Sequence, residues 1–200
     1  MHQNHQLPRE AISAPALGSL LMGIFTTAWA SIANVGFYGR DHYVFLSLFV
    51  LFALLFLTNA ISLLRASKRY PVATSAADKE RKKKTGMWFG IIFGLEGITI
   101  PIAVNIVIFL GHAELVIPAM ALVVGLHFYP MATIFKRKID YYLATWATVI
   151  ALTGFYLSLK KNLPESDVMA FVGVGLGLAT SAYGFYTILY GRRLLQRSNQ

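Results

Sequence analysis

The sequence predicts an all-α, polytopic membrane protein, a six-transmembrane-helix bundle of antiparallel hairpins, and three observations carry that prediction. The composition is 56% hydrophobic and only 14% charged over 200 residues, where soluble domains run near 25% charged. A water-soluble chain this short has too little interior to hide so much apolar surface. Six stretches hold the roughly 20 mostly apolar residues needed to cross a hydrocarbon core, at about 14–37, 43–64, 87–110, 115–135, 141–159 and 168–190. The charges, finally, sit almost entirely in the short segments between these runs.

The first span follows a tail, 1–13, that holds His2 and His5. Ala28-Trp29-Ala30 resembles a signal-peptidase site, but the apolar run continues to about Phe37, too long for a signal peptide's apolar region. Retention of the span is expected. Span two ends at a basic segment, 65–86, in which Lys79, Arg81, Lys82, Lys83 and Lys84 form an anchor suited to anionic lipid. Three lysines and arginines at 136–138 separate spans four and five, and a basic tail, 191–200, closes the chain. Fifteen of the eighteen lysines and arginines fall on one side of this topology, the exceptions being Arg40, Lys160 and Lys161. The positive-inside rule therefore puts both termini in the cytoplasm. Aromatic residues such as Tyr43, Trp88, Tyr142 and Tyr190 near the span ends suit the headgroup level. Three hairpins in series would explain the regular basic clusters. Topology alone explains them equally well.

Two ionisable residues lie within spans: Glu96 in the third and His127 in the fourth. Such a group is costly at the bilayer centre, so both should face protein or a cavity, with Glu96 neutral unless paired. At about 1.5 Å per residue each lies roughly 14 Å from the cytoplasmic end of its span. The midpoint between them falls in the turn at Gly111 and His112, so a straight antiparallel hairpin sets them level. Pro101 and Pro130 follow closely and free the carbonyls of Gly97 and Leu126. Together they outline a pocket for a small solute or proton, with Tyr129, Thr99, Asn34, Asn59 and Asn105 as further candidates for its lining. The structural alternative is a Glu–His hydrogen bond that merely fixes two helices.

Small residues mark two packing faces. Gly90, Gly94 and Gly97 share one side of span three, turned well away from Glu96, and are expected against a neighbour. Span six carries Gly173, Gly177, Ser181 and Gly184 at similar spacing. Either face admits a homo-oligomer or a membrane-protein partner.

The absence of cysteine excludes disulfides, thiolate metal sites and cysteine nucleophiles. Asp41, His42, His112 and Glu114 are metal-ligand types without metal-site spacing, so neither a metal nor another cofactor is expected. No nucleophile elbow or zinc-protease pair occurs, and no enzymatic activity is expected. The net charge of +9 lacks the aromatic interleaving of a nucleic-acid face.

Phe93-Gly94-Leu95-Glu96-Gly97, then Gly125-Leu126-His127-Phe128-Tyr129-Pro130, then Lys136 to Tyr142 carry a resemblance. The stretch from Gly86 to about Trp146 resembles a family of small bacterial multi-span membrane proteins of unknown function. The resemblance implies a bacterial inner-membrane setting and assigns no activity, cofactor or site. The sequence thus leads to a small transporter, channel or sensor built on Glu96 and His127, or else to a non-transporting scaffold or regulatory subunit.

Overall fold

The computed structural model describes residues 8–72, 76–161 and 163–198. His2 and His5 lie outside the described residues, as does the side chain of Arg81. Six helices follow one another: α1 (Arg9–Phe37), α2 (Val44–Ser67), α3 (Ala76–Phe109), α4 (Val116–Phe135), α5 (Lys138–Lys160) and α6 (Glu165–Ser198). All six are long and apolar enough to cross a membrane. No strand occurs among the described residues.

The helices outrun the apolar stretches. α1 already starts at Arg9, α3 takes in the basic run of 79–84, and α6 continues through 191–198. The expected cytoplasmic loop of 65–86 is therefore largely helical, α2 running to Ser67 and α3 starting at Ala76. Lys, Arg, Glu and Ala are strong helix formers, so a run of charges ends the hydrophobic stretch without ending the helix. Asp78 in the first turn of α3 also suits the positive end of the helix dipole.

The turns are short and locally encoded. Gly111 takes a positive φ of 80° after α3, and Lys136 takes the left-handed conformation between α4 and α5. A short 3₁₀ turn, Ala113–Leu115, leads into α4.

Sequential helices pack as antiparallel neighbours except α2 and α3, which share no substantial contact. The most extensive interface joins α6 to α1, so the bundle divides into two three-helix halves. One holds α1, α2 and α6, the other α3, α4 and α5, and they meet mainly along α5–α6 and α4–α6. α6 is the central helix, with 67% of its apolar window buried, against 11% for α3.

Small residues make the inner contacts. Ala30, Ala33, Ala121, Ala144, Ala147 and Ala151 are fully buried. In a bilayer, where lipid is as apolar as leucine, close backbone approach is what holds helices together. The α6 seam behaves this way: a Cβ on Gly173 would lie 2.6 Å from the Ala33 nitrogen, one on Gly177 2.9 Å from the Phe49 ring, and Gly184 abuts Phe56. Ser181 is buried beside them. This seam is filled by α1 and α2 of the same chain, which leaves it no room for a homodimer.

The glycine face of α3 departs from expectation. Nothing lies within 4 Å of a Cβ built on Gly90, Gly94 or Gly97. α3 packs chiefly on α4, so its opposite side has no neighbour among the described residues. Leu95, Ile98, Ile102 and Ile106 are exposed on α3, as are Leu51, Leu54 and Leu57 on α2. A soluble monomer rarely exposes contiguous apolar surface on this scale; lipid is the solvent that accepts it. Ala28-Trp29-Ala30 lies inside the continuous helix α1, with Trp29 and Ala30 buried in the core.

Candidate functional site

Between the halves, on the side opposite their contact, α1 and α3 stand apart and enclose a cavity of about 760 Å³. Such a volume lies well within the roughly 300–1,000 Å³ of small-molecule sites. Its walls are regular helix faces. On α3 the lining residues include Lys82, Gly86, Phe89, Phe93, Glu96 and Ile100, spaced by alternating threes and fours. α4 contributes Met120, Val124, His127 and Met131 in the same rhythm, and α1 contributes Leu17, Leu21, Phe25 and Trp29. This is the periodicity of a seam that expects a partner helix. α3 meets α1 instead at isolated points: the rings of Phe25 and Phe93, with centroids 5.9 Å apart, and an ion pair at the mouth.

That mouth is charged. Lys82 Nζ lies 2.9 Å from Glu10 Oε1, joining α3 to α1 across the opening. Arg137, at the head of α5, donates from Nη1 to the Tyr183 hydroxyl at 2.8 Å. Its guanidinium also lies 4.7 Å from the centre of the Phe135 ring. Farther in, the walls become apolar, and at the far end they reach Ile32, Ile100 and Met120.

Glu96 and His127 interrupt this apolar wall. Their side chains are 8% and 11% exposed, and His127 Nδ1 lies 3.3 Å from Glu96 Oε1. The two atoms are close without being aligned as a hydrogen bond, and the Val124 backbone carbonyl lies beside the same imidazole. An acid and an imidazole side by side can exchange a proton or share a polar ligand. A misaligned acid–imidazole pair in a mostly apolar cavity leaves such a ligand polar atoms to engage.

The other expected pocket residues lie elsewhere. Thr99, Pro101 and Pro130 are exposed and line no part of the cavity. At 100° per residue Pro101 is rotated by roughly 140° from Glu96, and Thr99 and Pro130 by roughly 60° from Glu96 and His127 respectively. Tyr129 turns toward α5, its hydroxyl 3.2 Å from Thr145 Oγ1. Asn59 donates to Ser19 within α1–α2, and Asn105 caps the Pro101 carbonyl. Asn34 does not line the cavity either.

Of the basic run, Lys79, Lys83 and Lys84 are exposed near the mouth while Lys82 closes over it. His112 Nδ1 pairs with Glu114 Oε1 at 2.8 Å in the α3–α4 turn, and Arg40 pairs with Asp167 at the same end of the bundle. No group of three or more metal-ligating side chains occurs among the described residues. Sequence reading missed the aromatic lining, although Phe89, Phe93 and Glu96 at i, i+4 and i+7 were a visible stripe.

No protein-family model, curated protein or solved structure matches the chain. The site therefore has to be read from its own chemistry.

Proposed function

We propose that this chain is a small membrane transporter or sensor in which the Glu96–His127 pair exchanges a proton as a solute occupies the cavity between α1, α3 and α4. The supporting observation is the buried pair at 3.3 Å on the wall of a 760 Å³ cavity. A polar pair serving only as glue would be enclosed by packed side chains, whereas this one borders open space. The positive-inside rule places the mouth at Lys82 and Arg137, and both termini, on the cytoplasmic side, in keeping with a bacterial inner membrane. Lys79, Lys83 and Lys84 then lie beside the anionic leaflet, where each basic residue contributes about 1 kcal/mol of attraction.

Purified protein in liposomes with an imposed pH gradient tests the reading. Proton movement that Glu96→Gln abolishes, with the helical content and monodispersity unchanged, supports it. Equal movement through Glu96→Gln liposomes and through the unsubstituted protein overturns it.

The open glycine face of α3 favours a second reading, a regulatory subunit that binds another membrane helix there. Gly94→Leu would then release a co-purifying partner without altering the stability of the isolated chain.

A further inference from the structure

We infer that the occupant of this cavity is a hydrophobic organic monocation, an amine or quaternary onium with apolar substituents, that competes with a proton for the Glu96 carboxyl. The inference rests on the transport reading above and names its solute.

Three observations narrow the ligand. The first is the sign of the charge available at depth. Among the described residues lining the inner cavity Glu96 is the only acid, and no lysine or arginine accompanies it. The cavity's cations, Lys82 and Arg137, are at the mouth and already engaged, one with Glu10 and the other with Tyr183. An anionic solute reaching Glu96 would meet no countercharge there; a cation would meet a carboxylate.

The second is the poverty of polar atoms. Inorganic cations such as sodium or calcium are held by several oxygen ligands in place of their water. Here a single carboxyl stands beside a neutral-capable imidazole in a wall of Leu, Met, Val and Phe side chains. The charge that enters must therefore bring its own apolar surface.

The third is the aromatic wall. Phe25 lies against Phe93 at 5.9 Å, Phe93 against Phe89 at 5.4 Å, and Phe89 against Phe135 at 6.2 Å. Phe93 is one helical turn from Glu96, so the row runs from the carboxyl to the mouth. Ring faces attract a desolvated cation, quaternary ammonium above all. The row thus offers successive favourable positions along the entry path.

Exchange then follows from charge balance. With the cavity empty, the carboxyl carries a proton. When a cation arrives, the carboxyl O–H bond breaks and the carboxylate pairs with the cation. The proton passes to the adjacent His127 imidazole and on to water at the mouth. One proton leaves for each cation bound, and the site's net charge is unchanged. Besides Glu96 and His127, the titratable or charged groups facing the cavity are Glu10 on α1, Asp78 and Lys82 on α3, Arg137 at the head of α5 and Tyr183 on α6. All but Tyr183 belong to the mouth, and Tyr183 is held by Arg137.

The test is calorimetric titration of the purified full chain in detergent with tetraphenylphosphonium, in two buffers of different ionisation heat, over a range of pH. The expected result is one proton released per cation bound and an affinity that falls tenfold for each unit of acidification below the carboxyl's titration. Glu96→Gln should remove both. Phe93→Leu, which leaves the carboxyl in place, should weaken binding several-fold with the proton release kept. It decides the question if Glu96→Gln fails to fold. Uncharged triphenylphosphine oxide should bind far more weakly and without pH dependence.

The inference is overturned by equal tetraphenylphosphonium binding to Glu96→Gln, by binding without proton release, or by binding of the uncharged analogue as tight as that of the cation. Glu96-dependent proton flux in liposomes that tetraphenylphosphonium neither inhibits nor drives also overturns it, while leaving the broader transport reading intact.

Discussion

Two glycines with the same sequence signature should respond oppositely to alanine. Gly173 in α6 and Gly97 in α3 both belong to small-residue faces of apolar helices. A Cβ on Gly173 would lie 2.6 Å from the backbone nitrogen of Ala33 and 2.9 Å from its Cα, where ordinary contact begins near 3.4 Å. Neither atom can rotate aside, so α1 and α6 would have to separate by up to about 0.8 Å at the broadest interface in the molecule. Overpacking of this kind costs about 1–3 kcal/mol, offset in part by the roughly 0.5–1 kcal/mol gained when alanine replaces a helical glycine. Gly173→Ala is therefore expected to lose about 1–2 kcal/mol. At Gly97 a Cβ meets nothing within 4 Å, so only the helix gain of about 0.5–1 kcal/mol remains. The variants should differ by about 2 kcal/mol, roughly thirtyfold in the unfolding equilibrium. Unfolding in mixed micelles with increasing dodecyl sulfate, followed by circular dichroism, measures the gap. Equal stability of the two variants would refute the assignment of α6 as the central helix and α3 as the open one.

Two further predictions concern the ends of the bundle. The chain has no cysteine of its own, so Glu10→Cys with Lys82→Cys can be joined specifically across the mouth by a reducible bismaleimide long enough to span the two helices. Cross-linking should stop flux in liposomes and reduction should restore it, while a cross-linked form that transports at the full rate would remove the mouth from the pathway. In the α3–α4 turn, the hydrogen bond from His112 holds the Glu114 carboxyl below its ordinary value of 4.5. A carboxyl lowered on folding contributes stability that is present above its unfolded value and fades as pH falls through the folded one. His112→Ala should bring the Glu114 titration, read by carboxyl-carbon NMR, back up toward 4.5; an unmoved titration would show that the pairing does not set it.

Much of this architecture was legible because lipid leaves a one-dimensional record. Apolar runs located α2 and α4 to within a few residues. They missed the first eleven residues of α3 and the last turns of α6, where Lys, Arg and Glu end the hydropathy signal while favouring the helix. The level of Glu96 with His127 followed from the symmetry of a hairpin about Gly111, and the pair does meet, at 3.3 Å. The rotation of each helix had no such symmetry argument behind it. Thr99, Tyr129 and the two prolines were therefore assigned to a cavity that they do not line. Nor does a sequence say which partner a glycine face will find: Gly173 found α1, and Gly97 found none among the described residues.

The division into halves bears on how such a site would operate. Glu96 and His127 belong to the same half, on α3 and α4, so movement of one half against the other leaves the pair intact. Lys82–Glu10 and Phe93–Phe25 each join the two halves and are the contacts such movement breaks first. An exposed ion pair contributes only about 0–1 kcal/mol, and a single aromatic contact about 0.5–1.5 kcal/mol beyond its buried area. These are small beside the α1–α6 and α4–α5 interfaces that hold each half together. The buried cluster of Trp29, Ala121, Ala147 and Leu176 also joins the halves, so the deformation these two weak contacts resist least is a hinge that opens or closes the mouth of the cleft between α1 and α3. Such a hinge changes what reaches the Glu96 carboxyl and leaves the neighbour that takes its proton in place, which is the separation of access from chemistry that proton-linked movement of a solute requires.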